Sequence, residues 1–124
     1  MMAIHSFRDL RVWQAGMELV QRIYQVTQAM PPSEIYGLTN QMRRAAVSIP
    51  SNIAEGHTRE HTKEYLHHLS IAQASLAELQ TQLEIAERLL YLPHDQVSPI
   101  LEQCIALSRQ LYALRNSIQQ KGLL

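Results

Sequence analysis

Apolar side chains recur along this chain at intervals of three and four residues, the spacing that gathers them on one side of a helix. The first stripe runs through Leu10, Trp13, Met17, Val20, Tyr24 and Thr27, widened by Leu19, Ile23, Val26 and Met30. A second passes through Ile35, Leu38, Met42, Ala45, Ile49 and Ile53. The third, Tyr65, Leu69, Ala72, Leu76, Leu79, Leu83, Ala86 and Leu90, keeps a heptad of the kind that seats knobs into holes. Val97, Ile100, Cys104, Leu107, Leu111, Leu114 and Ile118 make the fourth.

Breaks at Met30-Pro31-Pro32-Ser33, Gly56-His57-Thr58 and Leu92-Pro93-His94-Asp95 separate these stripes. Their chemistry predicts the helix ends. Ser33 caps the second helix, Gly56 supplies its left-handed end and Thr62 caps the third. Pro93 stops the third helix, and the fourth opens at Asp95, or at Ser98 with Pro99 in its first turn. Pro50 lies inside the second segment, where it deletes a bond to the Ala46 carbonyl at about 3 kcal/mol, and predicts a kink.

Four amphipathic helices joined by short links predict an all-α, antiparallel up-down-up-down four-helix bundle, with residues 1–124 as a single domain. No stretch alternates as a strand does, and no internal repeat is visible. The stripes are wider than one bundle needs. Leu66, Ile85 and Leu89 lie off the third seam, and Leu101, Ile105 and Tyr112 off the fourth. That surplus predicts self-association.

Charge narrows the function. Eleven basic and eleven acidic residues cancel, which excludes the strong positive field of a polybasic nucleic-acid binder, so any such contact is local. Arg43, Arg44, Arg59 and Lys63 slightly outnumber Glu55, Glu60 and Glu64, whereas Glu78, Glu84 and Glu87 face only Arg88. Cys104 stands alone, so no intrachain disulfide forms. With no leader-like segment at Met1 to Ser6 and no apolar run of about 20 residues, the expected location is the cytoplasm, away from any membrane.

Catalytic chemistry finds little purchase. Glu64 and His67 spell the Glu-x-x-His unit of di-iron bundles, but only once, and His67 points away from the seam. His57 and His61 flank a break and read as loop histidines, and Cys104 reads as a small hydrophobe. Trp13 and Tyr24 read as core. No Gly-rich phosphate loop or nucleophile-base spacing occurs, so no cofactor and no enzyme is expected.

The segment from Gln41 to Gly56 is different, because Arg44, Ser48, Ser51 and Glu55 align opposite Met42. This face fits a subunit contact or an anionic partner. The alternative is that its arginines pair locally with Glu55, Glu60 or another acid.

Several stretches resemble the four helix bundle proteins encoded in 23S ribosomal RNA intervening sequences. They are Ser6 to Gln14, Tyr36-Gly37-Leu38, Gln41 to Ala46, Asn52 to Gly56, and Ser75 to Leu79 with Gln82-Leu83. The resemblance implies a left-handed bundle assembling as a homopentamer, without catalytic activity. The family is similar to the accessory variability proteins of diversity-generating retroelements, basic pentamers that bind nucleic acid and a reverse transcriptase. The zero net charge here departs from that basic character. Matching polar positions are Gln41, Arg43, Arg44, Asn52 and Glu55, to which the helical wheel adds Ser48. The expected function is an oligomeric scaffold contacting RNA or a protein partner, with a metal-dependent bundle enzyme as its rival.

Overall fold

In a computed structural model describing residues 6–122, four α-helices make up most of the described residues: α1 (Arg11–Val26), α2 (Leu38–His57), α3 (Thr62–Arg88) and α4 (His94–Gly122). No strand occurs among the described residues. Residues 1–5, read above as lacking a leader, lie outside them. No helix among the described residues is long and apolar enough to cross a membrane.

Side-chain pairs fix the topology. Thr27 meets Arg43 while Gly16 meets Pro50, so α1 and α2 run antiparallel. Ser48 meets Ser75 and Asn52 meets His68, which reverses α3 against α2. Gln73 meets Arg115 and Glu87 meets His94, which reverses α4 against α3. Arg22 of α1 donates to Gln103 of α4 at 3.1 Å and closes the ring of neighbours. This is the expected all-α, up-down-up-down four-helix bundle.

The seams of α2, α3 and α4 form one buried cluster, with Met42, Ile49, Ile53, Leu69, Leu79, Leu83 and Leu111 wholly enclosed. α1 differs from expectation. Its buried arc is Val12, Gly16, Leu19, Ile23 and Val26, whereas Met17 and Tyr24 are each 42% exposed. The reason is that α1 packs between α2 and α4, and the arc they share is centred on Leu19 and Ile23.

Helix ends also depart from the sequence reading. α2 begins at Leu38, after a 3-10 turn over Pro32–Glu34, so Ser33 caps nothing and Ile35 lies outside the helix. Glu34 takes the capping role, its Oε1 accepting from the Leu38 N–H at 2.9 Å. Gly56 is helical, without a positive φ, and Thr58 follows as the helix end. Thr62 is the first residue of α3, with His61 before it. α4 opens at His94 with Asp95 in its first turn, which leaves Pro99 inside the helix.

α3 stops before Pro93 is reached. Leu90 adopts φ 63°, Tyr91 N–H donates to the Ala86 carbonyl and Leu90 N–H to that of Glu87. These two bonds are a Schellman closure with leucine where glycine is usual. Leu90 thereby leaves the seam and is 90% exposed.

Pro50 is absorbed differently. α2 continues through it, and its ring lies against Gly16, where an added Cβ would stand 3.3 Å from the proline Cβ. α1 can come this close because residue 16 has no side chain.

Candidate functional site

The six polar positions singled out on α2 separate into distinct environments, because each turn of the helix aims them at a different neighbour. Ser48 and Asn52 face α3. The Ser48 hydroxyl lies 2.8 Å from that of Ser75, and Asn52 Nδ2 donates to the Ser48 carbonyl at 2.9 Å and to its hydroxyl at 3.0 Å. Asn52 Oδ1 then meets His68 Nδ1 at 3.1 Å. His68 in turn stands 4.0 Å from Glu55 Oε2, and Glu55 pairs with Arg59 at 3.7 Å. Ser48 and Asn52 therefore belong to a half-buried polar seam joining α2 to α3, with Glu55 at its exposed edge.

Arg43 turns to the opposite side. Its Nε donates to Thr27 Oγ1 at 2.9 Å, and its guanidinium lies 4.8 Å from the centre of the Tyr24 ring. Thr27 Oγ1 is itself bonded to the Ile23 carbonyl. The arginine is held by α1, not by the acids expected to pair with it.

Arg44 and Gln41 remain. Both are exposed, and neither side chain has an ion pair or hydrogen bond among the described residues. Arg44 borders two concavities. One, of about 560 Å³, lies toward α1 and the turn before α2, lined by Tyr24, Ile35, Tyr36, Asn40, Arg43 and Val47 among others. The second, of about 350 Å³, lies toward α3 beside Gln41, Ser75 and Glu78.

Sequence reasoning missed part of this face. Tyr24 and Ile35, assigned above to buried stripes, are 42% and 46% exposed, and Val47 is 40% exposed. Tyr36 is 93% exposed and entered only as part of a resemblance. The available signal was Tyr36-Gly37 itself, an aromatic residue beside a turn-forming glycine.

The residues weighed for catalysis are dispersed. His67 and Glu64 are exposed, and no group of three or more His, Cys, Asp or Glu able to hold a metal occurs among the described residues. His57 ends α2 with its ring edge-on to Tyr65 at 5.8 Å, so it is not a loop residue. Cys104 is buried, and burial pushes its thiol up to about 12, far from the thiolate a nucleophile requires.

A family model described as 23S rRNA-intervening sequence protein matches residues 8–113. Among solved structures, a protein of unknown function from the S23 ribosomal protein family of Bacteroides thetaiotaomicron superposes with a TM-score of 0.78 at 21% identity. The match covers 84% of this chain and 97% of that one, and at this identity it speaks for the fold. No curated protein matches the chain.

Proposed function

Because the chain belongs to the 23S rRNA-intervening sequence protein family, we propose that it is a non-enzymatic, self-assembling scaffold of the cytoplasm. Its α2 face serves RNA or a protein partner. The supporting observation is exposed apolar surface. Ile85 is 41% exposed, Leu89 52%, Ile105 45% and Tyr112 61%, on helices whose opposite sides already fill the core. Large side chains left in water in this number fit an interface between copies.

A homopentamer is the assembly implied by the resemblance, which also carries the kinship with retroelement accessory proteins. The dispersed histidines and acids favour the scaffold over the metal-dependent enzyme. Static light scattering at micromolar concentration is expected to return a multiple of 14.2 kDa, five-fold for the pentamer. The double variant Ile85→Lys/Leu89→Lys should lower that mass while keeping its helical circular dichroism. A wild-type monomer overturns the proposal.

A further inference from the structure

The turn before α2 holds an aromatic ring in water at 93% exposure. Its backbone is fixed. Gly37 N–H donates to the Glu34 carbonyl at 3.0 Å and Leu38 N–H to the Glu34 carboxylate at 2.9 Å. A Cβ at position 37 would sit 2.5 Å from Glu34 Oε1 and push the capping carboxylate aside, so glycine leaves the cap undisturbed and Tyr36 is displayed from a braced turn.

Beside Tyr36, the concavity of about 560 Å³ brings together Tyr24, Asn40, Arg43, Arg44 and Val47. The Arg43 guanidinium lies 4.8 Å from the centre of the Tyr24 ring and is anchored on Thr27, whereas Arg44 makes no ion pair among the described residues. Glu34, the nearest carboxylate in sequence, has both oxygens engaged, one by Leu38 N–H and the other by the Tyr91 hydroxyl at 3.0 Å. The face therefore offers two guanidinium groups, an exposed amide and a bare aromatic ring, with no carboxylate lining it.

We propose that this face binds single-stranded nucleic acid, an unpaired base stacking on Tyr36 and the adjoining phosphates meeting Arg44 and Arg43. The proposal rests on reading the α2 face as a partner site, and narrows that partner to one class. Charge complementarity selects it, because a polyanion supplies what both arginines lack. An apolar peptide helix would find a floor in the half-exposed Tyr24, Ile35 and Val47, but would desolvate both guanidinium groups without offering them a counter-charge. Single strands are selected over duplexes because stacking needs an open base face, which a duplex hides.

The test is fluorescence anisotropy of a short fluorescein-labelled RNA of unstructured mixed sequence, titrated with the full chain across a salt series. Binding is expected at low salt, with a log–log slope of about −1.4 for two phosphate contacts on a single strand. Tyr36→Ala should weaken it about tenfold with little change in slope, the loss of one stacked base. Arg44→Ala should also weaken it and flatten the slope by about 0.7. Single-stranded DNA should bind comparably, since no 2′-hydroxyl contact is invoked. Both variants are expected to keep the wild-type mass in light scattering, so failure here differs from failure of the scaffold reading. No RNA binding at low salt overturns the inference and assigns the face to a protein partner. Equal affinity for a duplex, or unchanged affinity in both variants, overturns it as well.

Discussion

At Gly56 a single hydrogen decides how closely α2 and α3 approach. A Cβ there would meet His68 Cβ at 2.8 Å and Tyr65 Cδ1 at 3.0 Å, with the Tyr65 carbonyl oxygen at 3.3 Å. Alanine is the better helix former by about 1 kcal/mol. The backbone carbonyl cannot move aside alone, so overpacking of about 1–3 kcal/mol should prevail. Gly56→Ala is expected to lower the urea midpoint, and a higher midpoint would refute the close approach. Tyr91 gives a second test. Its hydrogen bond to Glu34, then burial, then the Glu34 charge raise its pKa above the usual 10.0. The folded state thus holds this proton more tightly than the unfolded chain. Its contribution is present below pH about 10 and is lost as pH rises through the folded value. Wild type should lose thermal stability above that pH more steeply than Tyr91→Phe, and identical slopes would contradict the bond. Neither role was legible beforehand. Gly56 read as a helix terminator because glycine permits both a left-handed end and a close contact, and only the partner helix decides between them.

The joint between α2 and α3 depends on hydroxyl and amide groups among apolar ones. Ser48, Ser75, Asn52 and His68 satisfy one another there, so removing one member strands the others. Ser48→Ala is expected to cost about 1–3 kcal/mol by leaving Ser75 and Asn52 short of a partner. In a double-mutant cycle, Ser48→Ala/Ser75→Ala should cost less than the two singles combined, and strict additivity would show that the hydroxyls do not interact. The sequence made Ser48 visible as polar and small. It did not reveal that Ser48 and Asn52 are turned toward α3, because that depends on which side of α2 each neighbour occupies. The same ambiguity moved the stripe of α1. Its apolar residues cover a wide arc, and α2 and α4 bury Leu19 and Ile23 from it while leaving the outer members Met17 and Tyr24 half-exposed. Along α3 the heptad from Leu69 to Ala86 is buried as its spacing predicts, and the departures lie at the ends, where Thr62 is not the cap and a left-handed Leu90 ends the helix before Pro93.

For the molecule as a whole, the helix count, the order of neighbours and the core were legible because periodicity and short links leave few other arrangements. Arg44 was identified from its sequence position as facing away from Met42, and it does lie exposed. The aromatic half of the face was not, since a tyrosine on a stripe and a tyrosine at its edge look alike in one dimension. Glu34 adds a property of the whole fold. One carboxylate grips the start of α2 through Leu38 and the link between α3 and α4 through Tyr91. Two connections distant in the chain are thereby tied at one end of the bundle, and their openings are coupled. In amide hydrogen exchange, Glu34→Ala should speed deuterium uptake at Leu38 and also around residues 89–92. Faster exchange confined to Leu38 would mean that the two links breathe independently.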